Sequence, residues 1–149
     1  MTSNKSSATL ASAGMVGARS DQIARILLGL AALGALAAAA SAAGAVGDAD
    51  ASSKIVETWR AYGLVVFAGL FTLLAAKPRG YRGVWELVIF HKVALTVTAL
   101  VYAAEGGVIG TASIIVWDGA VSVLLIAAYV LSRGWAAPSG AQSASRHRG

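Results

Sequence analysis

The sequence predicts an all-α fold: a four-helix transmembrane up-down bundle with both termini in the cytoplasm. Three observations predict it. Apolar residues make up 57% of the 149-residue chain and charged residues only 13%, with a mean hydropathy of +0.69. A soluble domain is roughly half apolar and about a quarter charged. The apolar residues fall in four continuous blocks near the roughly 20 residues that cross a bilayer core as a helix. They do not alternate, which excludes a β-barrel. Finally, Lys and Arg gather in alternate connections.

Residues 1–24 are mostly Ser, Ala, Thr and Gly with scattered charge and no apolar period, and they predict a disordered basic tail. The first span covers 25–46. Ala31, Ala35, Ala39 and Ala43 recur every fourth residue beside Gly29 and Gly34, a spacing that lets helix backbones approach closely in lipid. A second reading of this block is a signal peptide, with Arg19 and Arg25 before it and small residues after Ser41. The length of the uncharged run and of the tail before it favours a retained span, and N-terminal sequencing decides between the two.

The second span covers 59–76. The basic loop Lys77-Pro78-Arg79-Gly80-Tyr81-Arg82-Gly83 follows it. The third span covers 84–104 and is interrupted by Glu86, His91 and Lys92. Glu105, Gly106 and Gly107 form the next connection. The fourth span covers 108–131 and holds one charge, Asp118. Residues 133–149 predict a second disordered basic tail. Short connections make consecutive helices antiparallel neighbours.

Orientation follows from the basic residues. Lys5, Arg19, Arg25, Lys77, Arg79, Arg82, Arg133, Arg146 and Arg148 lie in the two tails and the second loop, against Lys54 and Arg60 on the other side. That bias places both ends in the cytoplasm. Trp59, Tyr62, Tyr81, Trp85 and Trp135 sit near span ends, where an aromatic belt is expected. The net charge of +5 is distributed for contact with anionic lipid headgroups rather than nucleic acid. The setting these features imply is multi-pass insertion in the cell (inner) membrane.

Ionisable groups inside a span cost about 2.5–3.5 kcal/mol by insertion scales, so each asks for a partner, water or a function. His91, Lys92 and Asp118 are the deep candidates. At 100° per residue, His91, Thr98, Tyr102 and Glu105 fall near one face of the third helix, with Lys92 elsewhere. Asp118, Thr111, Ser122 and Tyr129 form a stripe on the fourth. The two stripes are expected to face each other or a shared cavity open to the exterior, with Tyr62, Arg60 and Ser41 near its level. Asp118 then serves as a structural acceptor, a ligand or acid–base group, or the partner of Arg60 or Lys92. Lys92 is the weaker candidate partner, because side chains lean toward their helix N-terminus and these two would lean apart. His91 is expected to bond Ser122 or a carbonyl, or else to handle protons with Asp118 as a catalytic pair. Thr98, Tyr102, Tyr62, Ser122, Lys92 and Arg60 complete the candidate binding set.

The chain has no cysteine, which excludes disulfides, thiolate metal sites and iron–sulfur clusters. Its only other histidine, His147, lies in the tail, so a metal site or a bis-histidine haem is not expected. Nucleotide-binding loops, G-x-S-x-G and HExxH are absent.

Arg25-Ile-Leu-Leu-Gly29 before a small-residue first helix, four short spans and a central basic loop resemble the DoxX-like membrane proteins over residues 23–132. The resemblance implies a four-helix bundle in a group linked to quinone-associated electron transfer and to accessory roles for other membrane proteins. No catalytic residue carries over, and His91-Lys92 departs from the pattern. Four-helix sterol-isomerase-type proteins are a more distant analogue, in which membrane acids and histidines act on a lipophilic substrate. Two functions are expected to compete. One is a non-catalytic component of a membrane complex, with a membrane-protein partner or a second copy. The other is a small enzyme or binder of a lipophilic quinone, terpenoid or sterol-like molecule at Asp118. The sequence predicts no cofactor and leaves a quinone open.

Overall fold

The computed structural model describes residues 3–136, with side chains for 17–81 and 83–135. It is all-helical. The elements are α1 (Ser3–Asp48), α2 (Lys54–Ala76), α3 (Arg82–Glu105) and α4 (Thr111–Ser132), closed by a short 3-10 turn (Gly134–Ala136). Residues 17–48 of α1 and the whole of α2 and α4, with 83–105 of α3, are long and apolar enough to cross a membrane. Four such helices fit a small multi-pass integral membrane protein.

The boundaries depart from expectation in three places. Residues 3–24, expected as a disordered tail, are helical and continuous with the first span. Neither a proline nor a long charge run interrupts that stretch, so nothing stops the helix once the apolar block nucleates it. In α2 the helix starts at Lys54, five residues before the apolar span, and Glu57 and Arg60 pair across one turn at 2.8 Å. The turn before α4 is longer than the expected three residues. Gly106, Gly107 and Gly110 adopt φ of 79°, 83° and 88°, a region glycine enters without steric cost, and α4 therefore begins at Thr111. Residues 137–149, most of the expected C-terminal tail, lie outside the described residues.

The core is assembled from α1 (Ala24, Leu28, Ala31, Ala32, Ala35), α2 (Ala68, Phe71, Leu74), α3 (Trp85, Val88) and α4 (Leu125, Ala128). Helix α1 packs extensively along α2 and also against α4, and α3 packs along α4, whereas α2 and α3 scarcely touch. The buried line on α1 runs Ala24, Leu28, Ala31, Ala35, Ala39, Ala42. It drifts off the every-fourth-residue series because a helix repeats at 3.6 residues. Ala43 and Gly34 consequently face outward. Leu33, Val66, Leu87, Phe90 and Val123 also face outward, an apolar exterior that water would penalise and acyl chains accept.

One end of the bundle is closed by arginines acting on helix C-termini. Arg25 donates to the Ala76 carbonyl at 3.0 Å, and Arg79 Nε donates to the Ser132 carbonyl at 3.0 Å. Both carbonyls lie where a helix leaves acceptors unpaired and where the macrodipole favours a cation. Arg79 also pairs with Asp21 at 2.7 Å. Basic residues that the sequence alone would assign to headgroups are thus partly used to tie α1, α2 and α4 together.

Candidate functional site: an ion pair between the third and fourth helices

Lys92 Nζ donates to Asp118 Oδ1 at 2.5 Å, joining α3 to α4. The two side chains are only 9% and 15% exposed. The Phe67 ring of α2 covers the ammonium, its centroid 4.5 Å from Nζ, in a cation–π contact. Around the pair, Thr96 donates to the Lys92 carbonyl at 2.8 Å and Ser122 to the Asp118 carbonyl at 2.7 Å. These hydroxyls turn back on their own helices instead of entering a cavity. Gly119 faces Thr96 across this seam, where a Cβ would make an ordinary van der Waals contact, 3.5 Å from the Thr96 methyl.

This pairing corrects the expectation that Lys92 leans away from Asp118. The two residues sit at nearby levels in α3 and α4, and the four-carbon lysine stem spans the remaining offset. An unpaired charge at that depth is costly enough to outweigh the lean of the Cα–Cβ bonds. The expected alternative, Arg60, pairs instead with Glu57 on its own helix.

Inward rotation of Lys92 decides which face of α3 is buried. Trp85, Val88, Lys92 and Ala99 point into the bundle. The expected polar face therefore points out: His91, Thr98, Tyr102 and Glu105 are exposed, with Tyr102 at 45%. On α4 the expected stripe does turn inward, with Ser122 buried and Asp118 half-buried. The two stripes do not meet around Asp118; of their members only Thr98 and Tyr129 line a common open groove between α3 and α4. His91 does not bond Ser122; its ring lies 4.5 Å from the Phe67 ring, across the seam where α2 and α3 barely meet. Tyr62 is 68% exposed, and Ser41 is also exposed. Of the candidate set, then, the structure joins Lys92, Asp118 and Ser122, and leaves Thr98, Tyr102, Tyr62 and Arg60 apart from them.

Two participants escaped the sequence reading. Phe67 sits in an uninterrupted apolar block, where nothing distinguishes it from a lipid-facing ring. Trp85, expected in the interfacial belt, is fully buried and donates its indole N–H to the Pro78 carbonyl at 2.7 Å. Among the described residues, no group of three or more His, Asp or Glu side chains could hold a metal ion.

Arg60 offers a check on this assignment. Its pair with Glu57 is largely solvent-facing, with the arginine side chain 57% exposed. Arg60→Ala is expected to change unfolding free energy by less than about 1 kcal/mol, as exposed pairs do. A larger loss in a detergent unfolding titration would mean that Arg60, not Lys92, supports Asp118.

No family model matches the chain, and neither a curated protein nor a solved structure matches it.

Proposed function

We propose that the chain is a non-catalytic component or accessory of a membrane complex in the bacterial inner membrane, as its resemblance to the DoxX-like proteins implies. In this reading residues 25–132 form an up-down transmembrane bundle, both termini lie in the cytoplasm, and the arginine-rich end meets anionic headgroups. The carrying observation is the closed Lys92–Asp118 pair. The charges satisfy each other, the Phe67 ring covers the ammonium, and the His91 ring lies against the same phenylalanine. The competing acid–base reading needs the Asp118 carboxylate free to exchange a proton with a ligand beside His91, whereas Lys92 already holds it. Polar groups that knit two helices are an ordinary means of association in lipid.

The test is complementation of a deletion strain, with membrane abundance measured alongside. His91→Ala is expected to complement fully at wild-type abundance. Loss of complementation by His91→Ala at unchanged abundance would overturn the component reading in favour of acid–base chemistry on a lipophilic substrate. Reporter fusions to residues 1 and 149 are expected to report the cytoplasm at both ends, and opposite sides would overturn the topology.

A further inference from the structure

With Lys92 turned into the bundle, one side of α3 has no helix to meet. Helix α3 packs along α4 and scarcely touches α2. On the face so left open, Leu87, His91, Ala94, Thr98 and Val101 recur at spacings of four, three, four and three. That is the 3.5-residue period at which two helices pack in register. Leu87, His91, Thr98 and Val101 are exposed and Ala94 is half-buried. Ala94 is small, so an opposing backbone can come close at the middle of the stripe. The flanks of the stripe differ. Toward α4 stands Phe90, 71% exposed, beside an open groove it shares with Ile126. Toward α2 lies the seam where His91 rests against Phe67. A two-fold axis brings opposite flanks of two parallel helices together, so the protruding Phe90 of each chain faces the open seam of the other.

The hydrogen-bonding groups on the stripe select its occupant. His91 and Thr98 occupy equivalent positions one heptad apart. Thr72, Thr96 and Ser122 turn their hydroxyls onto their own helices. Among the described residues nothing hydrogen-bonds the Thr98 hydroxyl or the His91 ring, whose neighbour is the Phe67 ring. An acyl chain offers neither group a partner, and polar side chains left in lipid are costly. A hydroxyl and a neutral imidazole each donate and accept. Each can therefore bond its own copy across a two-fold axis, where a residue meets its equivalent. Glu105 continues the series beyond the span, where water and salt screen the two carboxylates from each other. The exposed face of α4 is not self-complementary in this way. Past the first turn it shows Val116, Trp117, Ala120, Val123, Ile126 and Val130, of which only the indole donates and none accepts. We infer that α3 is the interface of a parallel homodimer, in which the stripe from Leu87 to Val101 packs against the same stripe of a second copy. His91 and Thr98 each bond their equivalents across the axis. The inference deepens the component reading by naming a second copy as the partner, and it rests on that reading.

The experiment is disulfide cross-linking of the full chain in native membranes. The chain has no cysteine, so each substitution supplies a single thiol. Ala94→Cys and Val101→Cys are expected to link two copies efficiently, a disulfide needing Cα atoms within about 7 Å. Val66→Cys on α2 and Val123→Cys on α4, at exposed positions away from the stripe, are expected not to link. Equal linking at the control positions, no linking at either stripe position, or links only to a different membrane protein would overturn the homodimer. Its strength is read by diluting labelled chains in mild detergent. His91→Leu and Thr98→Val are each expected to raise the dissociation constant about three- to tenfold, equivalent to about 0.6–1.4 kcal/mol. His91→Gln, which still donates and accepts, is expected to stay near the wild type. Unchanged constants in both His91→Leu and Thr98→Val would also overturn the interface. Crowding in the membrane keeps copies paired despite a loss of that size, so His91→Ala is still expected to complement. A chain that is monomeric in membranes while His91→Ala complements removes the dimer and keeps the component reading. Failure of His91→Ala to complement while His91→Ala/Val101→Cys still links removes the component reading and keeps the dimer.

Discussion

Lys92→Met is expected to destabilise the bundle by about 3–5 kcal/mol, the cost of stranding one member of a buried ion pair. The methionine keeps the length of the stem and much of its contact with Phe67, so the loss is one of charge rather than of volume. Asp118→Asn, which leaves Lys92 without its counter-ion, is expected to fall in the same range. The double variant Lys92→Met/Asp118→Leu removes both charges and should recover most of the loss, since apolar replacement of a whole buried pair is often neutral or stabilising. The reversed pair Lys92→Asp/Asp118→Lys is expected to recover less, because Phe67 covers position 92 and its ring face attracts a cation and not an anion. Unfolding titrations of Lys92→Met, Asp118→Leu and their double variant against the wild type in one detergent close a double-mutant cycle. Additive losses, or single losses under about 1 kcal/mol, would show that the two charges do not depend on each other. The same variants bear on function. If the pair only knits α3 to α4, the uncharged double variant should complement a deletion strain as far as its stability allows.

Trp85→Ala is the second large effect. The side chain is fully buried, its ring lies 5.5 Å from that of Tyr129, and its N–H holds the Pro78 carbonyl of the loop between α2 and α3. Truncation of a buried aromatic costs about 3–5 kcal/mol through lost contacts and the cavity left behind. The orphaned Pro78 carbonyl adds about 1 kcal/mol or more. Trp85→Phe separates the two contributions: it retains most of the ring contact and should lose about 1–2 kcal/mol, chiefly the hydrogen bond. The damage is expected to concentrate where Arg79 and the 3-10 turn converge on α4. Gly134 there is so close to Tyr129 and Trp85 that a Cβ would overlap the tyrosine ring. Faster amide exchange over 77–81 and 129–135 in Trp85→Ala would mark this local opening. A variant with wild-type stability would show that lipid, not the bundle, solvates the indole.

Legibility of the chain followed the scale of the forces involved. Span number and approximate limits were readable because a bilayer imposes a length of about 20 apolar residues that little else in a sequence imitates. The glycine run at 106–110 was recognisable as a turn, although its extent was not, since three positive φ angles decide where α4 can begin. Helical phase placed Asp118 and Ser122 correctly on the inner face of α4. It failed on α3, where two polar faces compete: His91, Thr98, Tyr102 and Glu105 on one, Lys92 on the other. Counting polar residues favours the first. The structure buries the second, because one charge left in lipid costs more than several neutral or interfacial groups facing outward. Trp85 was misplaced for a related reason, in that residues near span ends can face either headgroups or the core, and periodicity alone does not choose.

By itself the sequence determined the solvent of this protein and the number of its helices: four apolar segments, with basic residues concentrated in alternate connections. Those are one-dimensional properties, set by transfer free energies summed along the chain. Only the tertiary structure decided the partner of Asp118, the face of α3 that turns inward, the opening between α2 and α3, and the groove that begins at Glu86. Each of these depends on how helices rotate about their axes and against which neighbour. A rotation of a few tens of degrees exchanges a buried residue for a lipid-facing one while leaving the hydropathy of the segment unchanged.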